Sequence, residues 1–296
     1  MNKLLKLFGI ITSLGMLLVL LMGAVVTKTG SGDGCGNSWP LCYGKVLPEA
    51  PEIETIIELS HRVVSATLGL LVIILAIWSW RKMAHLRETK FLATASVFLI
   101  VFQGLLGAAA VVWGQSDLVL ASHFGFSLAS FASVVLLTIL AFEATGSQKK
   151  PNVSKKIRVH LYAVTIYSYL VVYTGALVRH TGSSMACGNV PFCNDDQLFA
   201  FTGQQGIQML HRTAAILIFV WILYILIIGL KQRTESTMRK GLIIAFIFVS
   251  LQALSGILVV VSNLNLFLAL FHGLFISGLF TVLLYLVMLS LRSARQ

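Results

Sequence analysis

The stretch GAVVTKTGSGDGCGN at residues 23–37 recurs as GALVRHTGSSMACGN at residues 175–189. Each copy follows a long apolar run, continues into a polar loop and reaches a cysteine near its end. Two matching patterns of this length do not arise by chance, so we interpret the chain as two copies of one unit, displaced by about 150 residues. The fold of the whole chain therefore follows from the fold of one copy.

The composition assigns both copies to a membrane. Apolar residues make up 57% of the chain and charged residues only 11%, which excludes an ordinary soluble domain. Eight apolar runs of roughly 20 residues can each cross the ~30 Å hydrocarbon core as a helix, and a helix satisfies its own backbone groups in lipid. The predicted spans lie near residues 7–27, 57–80, 91–113, 118–142, 159–179, 206–230, 241–262 and 266–290.

The charged residues predict the orientation of these spans. Lys and Arg accumulate in loops that remain in the cytoplasm. Here they are concentrated at both termini and in the loops after the second, fourth and sixth spans, whereas most acidic residues lie in the opposite loops. We therefore expect cytoplasmic termini and cysteine loops on the outer face. The net charge of +11 then reflects topology, and basic residues spread over short turns do not indicate a nucleic-acid partner.

The first span has the basic start and apolar middle that are also typical of a secretory signal peptide. However, its exit sequence recurs at the end of the fifth span, where no signal can stand. No Arg-rich and Ser-rich organelle-targeting segment precedes it, so we expect a multi-pass protein of a bacterial cell membrane embedded in the lipid bilayer.

The number of spans predicts how the two copies are related. Because each copy has an even number of spans, both enter the membrane from the same side, and the repeat is parallel, about an axis along the membrane normal. We predict an all-α integral membrane protein of eight transmembrane helices in two four-helix bundles. The polar segment at residues 143–158 is the natural join, which gives an N-terminal bundle at residues 1–150 and a C-terminal bundle at residues 151–296.

Four histidines follow the same repeat. His61 and His123 map onto His211 and His272, and each lies a few residues inside the outer end of its predicted span. A single histidine in a membrane helix is often only a polar contact between helices, and zinc needs three or four ligands at one site. Haem iron instead takes two imidazoles from opposite sides. Two histidine pairs at one depth in two bundles therefore indicate haem, with the four histidines as axial ligands.

Four basic residues lie close to these histidines. Arg62 and Arg212 directly follow a ligand candidate, and a guanidinium group suits the carboxylates of haem propionates. The alternative is a cation that extends to the nearby membrane interface. Lys28 and Arg179, at the exits of the first and fifth spans, are further propionate candidates.

The four cysteines lie in the predicted outer loops, on the oxidising face of the membrane. Disulfides Cys35–Cys42 and Cys187–Cys193 are the simplest interpretation, and each would contribute about 2–3 kcal/mol by closing a short loop. We expect each disulfide to hold a lid over a haem pocket. Metal binding, or a redox role for one pair, are the alternatives.

These residues together carry a resemblance. With ELSHR at residues 58–62, QMLHR at 208–212, SHF and FHG around the later histidines, and the paired loop cysteines, the whole chain resembles the bacterial CtaA type of haem A synthase, a family related to the mitochondrial haem A synthases. The resemblance implies oxidation of a methyl group of haem O to the formyl group of haem A. It also implies that haem B is the cofactor in the C-terminal bundle and haem O the substrate in the N-terminal bundle. Haem O synthase and a quinol, or another electron donor, are the expected partners.

One ionisable residue distinguishes the two copies. Glu58 lies three residues before His61, on the same helix face, whereas the second copy has Gln208 there. A carboxylate can move protons or stabilise positive charge during oxidation, and an amide cannot titrate. We therefore predict that Glu58 is catalytic. The alternative is a solvated residue at a helix start, where the helix dipole favours an anion.

Two other functions fit a duplicated membrane bundle. A dihaem b-type cytochrome would pass electrons from quinol without modifying haem, and would hold equivalent, permanently bound haems in both halves. A haem or quinone transporter would have spans broken by Pro or Gly near mid-membrane. The five prolines all lie outside the predicted spans, which disfavours the transporter.

Overall fold

The computed structural model describes residues 3–114, 116–144, 151–193 and 200–293, and this part of the chain is all-helical in its regular structure, apart from one isolated bridge. It contains eight long helices, and each is long and apolar enough to cross a membrane, so the predicted spans are confirmed. The helices are α1 Lys3–Thr29, α2 Ile53–Met83, α3 Thr89–Val112, α4 Asp117–Glu143, α5 Lys155–His180, α6 Gly203–Lys231, α7 Ser236–Val261 and α8 Leu266–Ser293.

All helices except α8 begin one to five residues earlier than the sequence predicted, and α2 and α6 are two examples. We placed their starts at residues 57 and 206, whereas α2 begins at Ile53 and α6 at Gly203. The added first turns contain polar residues, Glu54 in α2 and two glutamines in α6. Hydropathy marks only the part of a helix that matches the hydrocarbon core, so a polar extension of the same helix is invisible to it.

Internal contacts divide the chain into two compact units, Met1–Gln148 and Lys149–Gln296. In the first unit each helix packs against the next, and α4 returns to α1, which closes a ring of four helices. In the second unit α5 to α8 pack in the same cyclic order. The boundary predicted after residue 150 falls at residues 145–150, outside the described residues.

The repeated stretch ends α1 and α5 in the same way. Gly30 and Gly182 have φ angles of 72° and 68°, in the left-handed region that residues with a side chain rarely adopt. Around the first glycine, the hydroxyls of Thr29 and Ser31 lie 2.6 Å apart, and the equivalent hydroxyls of the second copy lie 2.7 Å apart. The sequence repeat is therefore a repeat of local conformation that directs the chain from a helix into its cysteine loop.

Candidate haem-binding sites

The four histidines occupy equivalent places in the two units. His61 and His211 are the ninth residues of α2 and α6, and His123 and His272 are the seventh residues of α4 and α8, so each lies roughly two turns into its helix. In each ring the two histidine helices are separated by the other two helices. Such a pair can present imidazoles from opposite sides of the bundle interior, as a haem iron requires.

A glycine on the preceding helix faces every one of these imidazoles. At the two tightest of these four contacts, a methyl group in place of the glycine hydrogen would press on the imidazole ring. The distances from an added Cβ to the imidazole Cε1 are 3.3 Å for Gly23 and His61, 3.6 Å for Gly107 and His123, 3.0 Å for Gly175 and His211, and 3.0 Å for Gly256 and His272.

Two patterns in the sequence include these glycines, but neither pattern links them to the histidines. Gly23 and Gly175 are the first residues of the repeated stretch. Small residues such as Gly107 and Gly256 are also known to permit close approach of membrane helices. Which ring each glycine accommodates depends on the rotation of two helices about their axes, and only the packed bundle defines that.

Side chains of neighbouring helices make hydrogen bonds to both imidazoles of the second unit. Thr174 Oγ1 lies 2.9 Å from Nδ1 of His211, and Ser255 Oγ lies 3.0 Å from Nδ1 of His272. In addition, Nε2 of Gln252 lies 2.9 Å from Nε2 of His272. Both ligand candidates of the second unit are therefore oriented by neighbouring helices.

The imidazoles of the first unit have different surroundings. Nδ1 of His61 and Nδ1 of His123 are buried and have no hydrogen-bond partner among the described residues. Buried polar atoms are normally hydrogen-bonded, so the two imidazoles of the first unit are held by fewer protein contacts than those of the second unit.

Glu58 is buried, with only 3% of its surface exposed. Its Oε2 accepts a hydrogen bond of 2.7 Å from the backbone N–H of Cys35, and its Oε1 accepts one of 2.9 Å from Nε of Arg62. A second Arg62 nitrogen, Nη2, donates to the same Oε1. The alternative interpretation of Glu58 as a solvated helix-start residue is therefore wrong, because the carboxylate connects α2 to the cysteine loop.

Gln208 makes the equivalent connection in the second unit. Its Oε1 accepts a hydrogen bond of 2.6 Å from the backbone N–H of Cys187, and its Nε2 donates one of 2.8 Å to the carbonyl of Ser184. This position thus anchors the loop in both units, a role that the sequence did not reveal. What remains specific to Glu58 is its negative charge and its ion pair with Arg62.

Both arginines hold loop carbonyl groups. Nη1 of Arg62 donates to the carbonyls of Ser38 and Leu41 at 2.7 and 2.8 Å. Nη1 of Arg212 donates to three carbonyls of its own loop, those of Asn189, Pro191 and Phe192, at 2.6, 3.4 and 2.9 Å. Both arginines therefore attach the cysteine loop to the histidine helix, and the role predicted for them towards propionates stays a prediction.

The other two propionate candidates lie where the sequence placed them. Lys28 and Arg179 are in the last turns of α1 and α5, directly before the cysteine loops. Arg179 is half-buried there. Their role towards propionates stays a prediction.

The cysteines are paired as the sequence predicted. The Sγ atoms of Cys35 and Cys42 lie 2.01 Å apart, and those of Cys187 and Cys193 lie 1.96 Å apart. All four side chains are fully buried. The second pair packs on Met209 of α6. Each disulfide therefore compacts a loop that Glu58 or Gln208 then attaches to the histidine helix.

The chain is similar to known proteins over nearly its whole length. The family model described as cytochrome oxidase assembly protein, COX15-CtaA, matches residues 6–284. Among curated relatives, the "Heme A synthase" of Shouchella clausii (strain KSM-K16) is 53% identical over 297 residues, covering 99% of both chains. The "Heme A synthase" proteins of Bacillus cereus (strain AH187) and Bacillus anthracis (strain A0248) are 53% and 54% identical over 296 residues, covering 99% of this chain and 95% of theirs. The chain therefore belongs to the COX15-CtaA family of cytochrome oxidase assembly proteins.

Proposed function

We propose that this protein is a haem A synthase, an oxidoreductase of the membrane that converts the methyl group of haem O to the formyl group of haem A. The observation that carries the proposal is the extent of the similarity. Relatives called "Heme A synthase" align with 99% of the chain at 53% identity, and the family match at residues 6–284 spans all four histidines and both disulfides.

The C-terminal unit is the proposed site of a retained haem B, with His211 and His272 as axial ligands. The hydrogen bonds to both Nδ1 atoms support this assignment, because ligands held in place before binding lose less conformational freedom when they bind. Haem bound there supplies an iron that exchanges single electrons. The protein's part is to fix two imidazoles on α6 and α8 and to surround them with helices that exclude water.

The N-terminal unit is the proposed site of the substrate, haem O, with His61 and His123 as ligands. A substrate must leave after each turnover, so weakly constrained ligands suit it better than rigid ones. The unpartnered Nδ1 atoms of both histidines support this division between the two units.

Glu58 is the proposed catalytic residue of the first unit. Oxidation of a methyl group to a formyl group removes two hydrogens from the carbon and adds one oxygen atom. A carboxylate near the substrate can receive a proton released in this reaction or stabilise developing positive charge. The Cys35 N–H and the Arg62 guanidinium hold this carboxylate in one position. An anion held by fixed donors needs little rearrangement when charge develops next to it.

We also propose an orientation of the protein in the membrane, a source of its substrate and an electron donor. The distribution of basic loops supports cytoplasmic termini, so both histidine pairs and both disulfides would face the outer side of the membrane. Haem O synthase is the proposed source of the substrate, and a quinol is the proposed electron donor. The predicted alternative, a dihaem cytochrome, requires equivalent sites, whereas the two histidine pairs differ in their hydrogen bonds.

The pigment extracted from the purified protein tests this function. The protein is produced in cells that also make haem O, and its haems are separated chromatographically. We expect haem B together with haem A or a hydroxylated precursor, and loss of the oxidised haems in a His123→Ala variant that still contains haem B. Haem B alone, in two equivalents from the native protein and with haem O present in the cells, would contradict the proposal and favour the dihaem cytochrome.

A further inference from the structure

We infer that Thr174 and Ser255 are positioning residues that fix the tautomer of the two ligands in the second unit, so that Nδ1 carries the proton and Nε2 presents its lone pair to the haem iron. The inference rests on the proposed function, which places a retained haem between His211 and His272. It adds the residues that prepare those imidazoles for the metal.

The hydroxyl of Thr174 has a single proton, which determines the direction of its hydrogen bonds. Thr174 Oγ1 donates to the backbone carbonyl of Val171 at 2.7 Å, and a carbonyl oxygen can only accept. The hydroxyl proton is thereby used. The contact of 2.9 Å between Oγ1 and Nδ1 of His211 must then be donated by the imidazole. A neutral imidazole with its proton on Nδ1 has its lone pair on Nε2.

Ser255 repeats this arrangement on the other side of the bundle. Its Oγ donates to the backbone carbonyl of Gln252 at 3.0 Å, so it accepts from Nδ1 of His272 at 3.0 Å. The side-chain amide nitrogen of Gln252, which can only donate, lies 2.9 Å from Nε2 of the same ring. Both contacts require the same tautomer, and this amide must turn aside when Nε2 binds a metal.

The first unit lacks both hydroxyls. Aligning MGAVVTKTG at residues 22–30 with TGALVRHTG at residues 174–182 places Met22 opposite Thr174. Aligning QGLLG at residues 103–107 with QALSG at residues 252–256 places Leu106 opposite Ser255. The unpartnered Nδ1 atoms of the first unit are the direct consequence of these two apolar residues. The hydroxyls therefore occur only in the unit proposed to retain its haem.

The expected effect of such hydrogen bonds is specific. An imidazole that donates its Nδ1 proton is a more basic ligand, and loss of the partner on the second nitrogen typically weakens metal binding about 10–100-fold. A more basic ligand also favours the ferric state, because it donates more electron density to the iron. Removal of either hydroxyl should therefore weaken haem retention and raise the reduction potential of the low-spin haem.

The test uses the full-length purified protein with Thr174→Val, which removes the hydroxyl at nearly constant volume, and Ser255→Ala. Thr165→Val is the matched control, because Thr165 on the same helix donates only to its own helix, at the carbonyl of Leu161. The measurements are the rate of haem transfer to an acceptor apoprotein and the reduction potential of the low-spin haem. We expect about 10–100-fold faster loss of haem and a more positive potential in the first two variants, native values in the control, and recovery in Thr174→Ser.

Native haem transfer and native potential in both Thr174→Val and Ser255→Ala would overturn the inference. If Thr174→Val does not accumulate in the membrane, the pair Ser255→Ala and Thr174→Ser decides, the former expected to change both measurements and the latter neither. A His211→Ala variant distinguishes a failure of the proposed function from a failure of the roles inferred for Thr174 and Ser255. Persistence of the low-spin haem in that variant contradicts the proposed function itself, whereas its loss together with silent hydroxyl variants contradicts only the roles of Thr174 and Ser255.

Discussion

Replacing Glu58 with Gln changes one ionisable group and almost no volume, which makes it the sharpest test of the difference between the two units. The variant reproduces in the first unit the amide that the second unit has at Gln208. Because Gln208 accepts a hydrogen bond of 2.6 Å from its loop cysteine, an amide at position 58 can be expected to accept the N–H of Cys35 in the same way. The loop should therefore remain attached to α2.

The structure also limits the cost in stability. With the amide oxygen on the Cys35 N–H, the amide nitrogen takes the place of Oε1 and cannot accept, so the variant loses the hydrogen bonds and the ion pair with Arg62. Hydrogen bonds to charged groups contribute about 1.5–3 kcal/mol, and Arg62 keeps its contacts with two loop carbonyls, so the expected loss is ~2–3 kcal/mol. Glu58→Ala would instead leave the buried Cys35 N–H without an acceptor, and its larger destabilisation would obscure any effect on catalysis.

The assay is the ratio of haem A to haem B in membranes from cells that make haem O. We expect Glu58→Gln to insert and to retain haem B at native levels, while haem A falls at least tenfold, equivalent to ~1.4 kcal/mol or more of transition-state stabilisation. Glu54→Gln is the control, because Glu54 is an exposed carboxylate in the first turn of the same helix. Near-native haem A in Glu58→Gln would refute the catalytic role and leave Glu58 as a loop anchor.

His272→Ala should remove the low-spin spectrum of the retained haem, and an unchanged bis-histidine spectrum would show that the ligand lies elsewhere. Gly256→Ala should weaken retention of that haem about tenfold, because the added Cβ would lie 3.0 Å from the imidazole of His272. Gly273→Ala is the control and should retain the haem, because the space around its added Cβ is open. Equal haem retention in both variants would contradict the close contact. Non-reducing peptide mapping should find each disulfide within one loop, and a link from Cys35 to Cys187 would contradict the pairing.

The duplicated stretch and the histidine pairs were accessible from the sequence because both depend on order along the chain. A repeat of 15 residues, apolar runs of bilayer length and cysteines a few residues apart are all local patterns. The sequence also indicated that Glu58 differs in function from its counterpart, since the second copy has Gln208 at the matching position. Its attachment to Cys35 was not, because the loop folds back over 23 residues to reach it.

The sequence by itself determined the class of protein, its eight spans, its repeat and the residue types that can hold haem, because hydropathy, spacing and ligand chemistry are properties of the chain. Tertiary structure alone decided which side chains meet. The rotation of α5 against α6 and of α7 against α8 brings Thr174 and Ser255 to the imidazoles. The rotations of α2 and α6 turn Arg62 and Arg212 to their loop carbonyls. Helices in lipid gain little from hydrophobic burial against each other, so close packing at small residues and a few hydrogen bonds set these rotations, and no local pattern encodes them.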